Sequence, residues 1–113
     1  HALSMVDGRE VECHGAGAWA LGMALKNTAK SLGAWGGALT THTQSHAVAG
    51  KKGFAVAVGG MSTASAGEGG VIALSYMDVD GRLRLKVGYV GENGIVAGET
   101  YRLDDNDEFE LVL

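Results

Sequence analysis

Small residues recur at a nearly constant spacing along the first two thirds of the chain. Alanines follow one another at steps of nine residues, with one step of eight, at these positions: Ala20, Ala29, Ala38, Ala47, Ala55, Ala64 and Ala73. The residues two positions to either side are nearly all small as well. Because residues i and i+2 share one face of a strand, each unit predicts a short strand with one face of small side chains.

The other face of these predicted strands alternates between apolar and polar from one unit to the next. The apolar units contain Trp19, Leu21, Leu39, Phe54, Val56, Ile72 and Leu74, and the mostly polar units contain Thr28, Lys30, His46, Thr63 and Ser65. Two units then make one coil of 17–18 residues, with an apolar ladder on one outer side. Such internal repeats are typical of solenoids. We therefore predict an all-β protein with a short parallel β-roll, or solenoid, over residues 16–75.

The N-terminal part of this repeat has a second interpretation. Residues 16–32 also fit an amphipathic helix with Ala18, Leu21, Leu25 and Leu32 on one side. Helix and strand both remain open for this segment. From Gly36 onward, weak helix formers and the lack of a 3.6-residue period favour strands.

The last third of the chain predicts antiparallel strands. Asp80-Gly81 lies between two alternating runs and is a hairpin signal. Further turns are predicted at GENG (91–94) and DDND (104–107), so three or four strands form a meander over residues 76–113 that caps the roll. The first four residues, HALS, resemble a cloning remnant, and residues 5–113 are predicted to form one domain.

Two parts of the sequence resemble known groups of proteins. GFAVAVGGMSTASAG (53–67) resembles the repeat of the left-handed parallel β-rolls in the heads of trimeric autotransporter adhesins, although the period here is longer. The tail from IALSYMDVDGRLRLKVGYV to DEFELV resembles short, uncharacterised phage and mobile-element proteins with Ala/Gly/Ser repeats. The second resemblance covers more of the chain and implies no catalytic residues.

Charge and cysteine content narrow the possible functions. The net charge is −4, and residues 99–110 hold six acids against one arginine, which leaves the remainder at +1. This distribution argues against nucleic-acid binding. No apolar run is long enough to cross a bilayer. The single cysteine, Cys13, fits a reducing compartment, and we expect the cytoplasm of a bacterial host.

The residues with chemical potential do not form a recognisable reactive site. His42 and His46 have the spacing of a helical zinc pair, but the glutamate of H-E-x-x-H is missing. Cys13 and His14 are adjacent, so on a strand they point to opposite faces. We therefore predict no enzyme activity, no metal site and no cofactor.

The apolar ladder predicts an interface, because a patch of this size is rarely left in water. We expect Trp19, Leu21, Leu39, Phe54, Val56, Ile72 and Leu74 to pack in a homodimer or homotrimer. A stripe of Arg82, Arg84 and Lys86 either binds an acidic partner or pairs across strands with Glu108 and Glu110. The predicted function is a non-enzymatic phage or mobile-element protein that presents its roll to a host protein, for example as a counter-defence inhibitor. The alternative is a structural or adhesive module of a trimeric fibre or head.

Overall fold

The computed structural model describes residues 3–6, 10–13, 19–22, 28–41 and 44–112, with side chains from residue 28 onward. These ranges contain twelve strands and no helix, so no helix among them could cross a membrane. The strands are β1 Leu3–Val6, β2 Glu10–Cys13, β3 Trp19–Gly22, β4 Thr28–Ser31, β5 Gly37–Thr40, β6 His46–Ala49, β7 Phe54–Ala57, β8 Thr63–Ser65, β9 Val71–Met77, β10 Leu83–Tyr89, β11 Tyr101–Leu103 and β12 Phe109–Leu111. The predicted all-β class is confirmed.

The strands form two mixed sheets of six strands each. The first sheet has the order β1-β3-β5-β7-β9-β10, and the second has the order β12-β11-β8-β6-β4-β2. From β1 to β9 successive strands alternate between the sheets, and neighbours within each sheet are parallel. Strand β10 pairs antiparallel with β9, and β11 pairs antiparallel with both β8 and β12.

The strand ladder begins earlier than residue 16, where the repeat was predicted to start. Strands β1 and β2 already pair in parallel with β3 and β4, and Leu3 and Ser4 lie within β1. The helix interpretation of residues 16–32 is wrong, because Trp19–Gly22 and Thr28–Ser31 are both strands. Pairing with the following strands of the same sheet overrides the helical periodicity of this segment.

Two aligned columns of mostly small residues form the interior. In the first sheet Ala20, Ala38, Ala55 and Ile72 are neighbours in register, and in the second sheet Val11, Ala29, Ala47 and Ala64 are. The described alanines of both columns are fully buried in one core cluster. The predicted alanine spacing therefore identifies inward positions from Ala29 to Ala64.

The last repeat departs from the predicted spacing by one residue. Ile72, rather than Ala73, continues the inward column, and Leu74 is also buried in the core. The prediction that Ile72 and Leu74 lie on an outer ladder is wrong for this reason. The corner Gly67–Gly70 has the same length as the corner Gly50–Gly53, so the eight-residue step recurs there. A shift of one residue exchanges the two faces of a strand.

Stacked glycines allow successive corners to approach closely. The N–H of Gly53 donates to the Gly50 carbonyl, and that of Gly70 donates to the Gly67 carbonyl, each at 3.0 Å. A Cβ at Gly67 would lie 2.7 Å from the backbone nitrogen of Lys51. A Cβ cannot approach backbone atoms so closely without a shift, so these corners require glycine.

The C-terminal strands do not form one meander as predicted, because they divide between the two sheets. Strand β10 pairs with β9 across the predicted turn, where Gly81 has φ of +76°. The β11–β12 hairpin joins the second sheet through the pair Tyr101 and Ala64. The connecting segment crosses between the sheets, and buried Ile95 and Tyr101 extend the core there.

The close corner contact generates a stability prediction. Gly67→Ala is expected to lower the free energy of unfolding by about 1–3 kcal/mol, because the added methyl group overpacks against the corner below. Gly60→Ala is the matched control, since a Cβ there meets no atom within 4 Å. Chemical denaturation of both variants measures the difference. Equal stability of the two variants would contradict the close corner contact.

Candidate protein-binding surface

Strands β5, β7, β9 and β10 carry large apolar side chains on the outer face of the first sheet. Ala55 and Ile72 of this sheet are buried inward, so their chain neighbours point outward. Residues paired in register on adjacent strands share a face. We name this surface the apolar face, and it consists of Leu39, Phe54, Val56, Val71, Met77, Leu83, Leu85, Val87 and Tyr89.

The apolar face is continuous and accessible to solvent. Phe54, Val71 and Tyr89 follow one another across three strands, and Tyr89 keeps 54% of its surface exposed. Among the outward positions of the four described strands, none is charged. With strands about 4.8 Å apart and a rise of about 3.4 Å per residue, the face measures about 14 by 20 Å.

The predicted interface residues divide into three groups. Leu39, Phe54 and Val56 lie on the apolar face, whereas Ile72 and Leu74 lie in the core. Trp19 and Leu21 are in register with Gly37 and Leu39, and their side chains lie outside the described part. Sequence reasoning assigned the leucines of β10 to the cap, and the register with β9 joins them to the same face.

The outer face of the second sheet is mostly polar by contrast, with Val48 as an apolar member. Thr28, His46 and Thr63 are neighbours in register, and Lys30 lies two residues beyond Thr28. The Nδ1 of His46 lies 2.6 Å from Thr63 Oγ1. Burial is the main cause that lowers the pKa of His46, the Lys30 charge lowers it further, and a backbone hydrogen bond with Thr63 opposes them.

The turn between β9 and β10 is organised around one carboxylate. Asp78 Oδ1 accepts the backbone N–H groups of Asp80 and Arg82, both at 2.9 Å. Its Oδ2 accepts the guanidinium Nε–H groups of Arg82 and Arg84, at 3.2 and 3.0 Å. The bond from the Arg82 backbone is the main cause that lowers the pKa of Asp78. Both arginines of the predicted basic stripe are therefore used within the hairpin.

The third cation of the stripe, Lys86, bonds to Glu108 at 3.1 Å, as the cross-strand alternative predicts. Glu110 instead accepts from Arg102 at 2.8 Å. All three cations of the stripe thus form ion pairs with carboxylates of the same chain. An acidic partner would have to compete with these carboxylates, and its binding stays a prediction.

A cleft of about 430 Å³ lies beside β11 and β12. Its lining includes Met61, Thr63, Arg102, Asp104, Asp105 and Glu110. Arg102 is paired with Glu110, and Asp104 accepts the backbone N–H groups of Asn106 and Glu108. These charged groups thus stabilise the hairpin itself. In the part of the chain that the structure describes, no three potential ligands are grouped to hold a metal ion.

Comparison of the chain with protein-family models, curated proteins and solved structures finds no significant match.

The environment of His46 predicts a pH dependence of stability. Its folded-state pKa is below the ordinary value of 6.5, so the unfolded chain takes up the proton first as the pH falls. The stabilisation is complete above pH 6.5 and is lost as the pH falls toward the folded-state pKa. Urea denaturation between pH 7.5 and 5.5 is expected to show a smaller decline for His46→Gln than for the wild type. Identical declines would contradict this assignment.

Proposed function

We propose that this chain is a non-enzymatic protein-binding module that presents its apolar face to another protein. The observation that carries the proposal is the contrast between the two outer faces. One face has uncharged, mostly large apolar side chains across four strands, and the other carries polar and charged groups. Exposed apolar patches of a few hundred Å² on soluble proteins are often functional, and protein-binding surfaces are among them.

A short parallel β-roll of 17–18 residues per coil is the architecture that we propose for this module. Two observations support it. Successive strands alternate between the two sheets, and from β2 to β7 each strand pairs in parallel with a strand that lies 17 or 18 residues later in the sequence. Its interior alanines have no side-chain rotamers to order. A surface held on such a scaffold loses little conformational entropy on binding, which favours affinity.

A host protein in the bacterial cytoplasm is the partner that we propose, with the chain derived from a phage or mobile element. The resemblance of the C-terminal tail to such proteins supports this origin, and the single cysteine fits that compartment. Inhibition of a host defence system is one activity that requires only binding.

The decisive test compares a variant of the apolar face with a matched variant of the polar face. Phe54→Lys places a charge in the apolar face, and Thr28→Lys places one on the outer face of the second sheet. Proteins captured from bacterial lysate by the wild type are then purified and titrated. We expect Phe54→Lys to weaken binding about tenfold or more, because it replaces an aromatic side chain of the apolar face with a charge, and Thr28→Lys to leave it unchanged. Equal binding by both variants would refute the proposal.

The second candidate is a structural or adhesive module that packs around a threefold axis. The uncharged apolar face and the adhesin-like repeat favour it, although Ile72 and Leu74 do not contribute because they are buried. It predicts a trimer by light scattering across a dilution series, with Phe54→Lys converting the trimer to monomer. A wild-type protein of any other mass would end this candidate.

A further inference from the structure

The last strands of both sheets lie at one end of the molecule. In the described part of the chain, β10 pairs with β9 alone and β12 pairs with β11 alone. Lys86 of β10 bonds to Glu108 beside β12, and a Cβ at Gly88 would meet the ring of Phe109. The two free edges are therefore adjacent, and β10 is the longer of them.

The ladder between β9 and β10 determines which backbone groups of β10 face the free edge. Val90 N–H donates to the Gly70 carbonyl at 3.0 Å, and Asp78 N–H donates to the Arg82 carbonyl at 2.9 Å. Directly hydrogen-bonded pairs alternate along an antiparallel ladder. Even-numbered residues of β10 therefore bond to β9. The residues whose backbone groups point to the free edge are Leu83, Leu85, Val87 and Tyr89. The Tyr89 carbonyl also accepts the N–H of Glu92 at 3.0 Å in the following turn, so only its second lone pair is available to another strand.

This edge is protected against pairing only by two cations. Strand β10 has seven residues and no proline, and β-sheet proteins normally guard such an edge with charge, proline or a bulge. Its two cations, Arg84 and Lys86, lie on the face opposite the apolar face. They are paired with Asp78 and Glu108 of the same chain. The edge is therefore available to another strand that carries apolar side chains on the same outer face and places no cation opposite Arg84 or Lys86.

We propose that two copies of this chain pair antiparallel through β10, with Val87 of one copy facing Val87 of the other across a twofold axis. In this register Leu85 faces Tyr89, and Lys86 faces Gly88. A register centred on Lys86 would place two lysines opposite each other, and one centred on Leu85 would place Arg84 opposite Lys86. Like charges directly opposite are destabilising, which disfavours both of these registers. A register centred on Gly88 would pair only three residues of β10, because the strand ends at Tyr89. The register centred on Val87 is therefore the one that charge and strand length favour together.

The symmetry of this pairing joins the two apolar faces. A twofold axis perpendicular to the first sheet keeps the outer face of both copies on the same side. The first sheets of two copies then form one sheet of twelve strands, because each contributes six. This dimer uses the strand edge, so it goes beyond the proposed function, which uses the face.

The first experiment separates edge pairing from contact between side chains. Leu85→Pro removes a backbone N–H that points to the free edge but leaves the bonds to β9 intact. Leu85→Ala shortens the same side chain and keeps the N–H. Light scattering across a dilution series is expected to show a dimer for the wild type and for Leu85→Ala. Leu85→Pro is expected to raise the dissociation constant about tenfold or more.

Two outcomes would overturn the proposal: a wild-type monomer at every concentration, or a Leu85→Pro variant that dimerises like the wild type. Phe54→Lys lies two strands from the edge and is expected to remain dimeric while losing partner binding. Failure of the edge and failure of the proposed function are therefore distinguishable. A monomer whose β10 edge captures a foreign strand would also overturn pairing between copies.

The second experiment tests the register and does not depend on the folding of a proline variant. In a Cys13→Ser background, Val87→Cys places two thiols opposite each other. Hydrogen-bonded pairs have Cα atoms about 5.5 Å apart, within the range of disulfides. We expect Val87→Cys to form a covalent dimer on mild oxidation, and Leu85→Cys and Lys86→Cys to form far less. Preferential crosslinking at position 85 or 86 would overturn the register centred on Val87.

Discussion

The packing of alanine side chains between the two sheets is the contact on which the rest of the structure depends. Ala29, Ala38, Ala47, Ala55 and Ala64 are fully buried in one cluster, so the interior between the sheets is filled mainly by methyl groups, with a few small hydroxyl side chains among them. Such an interior has no room for large residues except near its C-terminal end, where Ile72, Leu74, Ile95 and Tyr101 are found. Leu39, Phe54 and Val56 lie outside instead, and this is why the first sheet has an apolar outer face.

The corners and the two outer faces follow from the same constraint. Close stacking of strands brings successive corners into backbone contact, and Gly50, Gly53, Gly67 and Gly70 provide the necessary space. The interior holds only small polar groups such as Ser31 and Thr40, and larger ones lie on the outer face of the second sheet, where half-buried His46 contacts Thr63. The charges of the C-terminal third are used in turns, as at Asp78. The apolar face is thus the largest feature that the fold leaves without a structural role.

The Asp80-Gly81 turn signal predicted the hairpin, and the alanine spacing was sufficient to predict the strands from Gly36 onward and their small-residue face. It failed at Ile72 and Leu74, because Ala73 continues the nine-residue spacing while the shorter corner before it advances the register by one. The common form of the corners Gly50–Gly53 and Gly67–Gly70 was the available signal for that shift. The contribution of β10 to the apolar face could not be predicted, because it depends on which strand β10 pairs with.

The register also limits how the length of this protein can change. A block of 17 residues that reproduces two strands and two corners, like the step from Gly37 to Phe54, would add one layer and leave every inward and outward position unchanged. A single residue added inside a strand would instead exchange the two faces of the strand beyond it, so that its small side chains would face solvent and its large side chains would face the interior. Viable relatives of different size are therefore expected to differ by whole layers, or by residues in the corners.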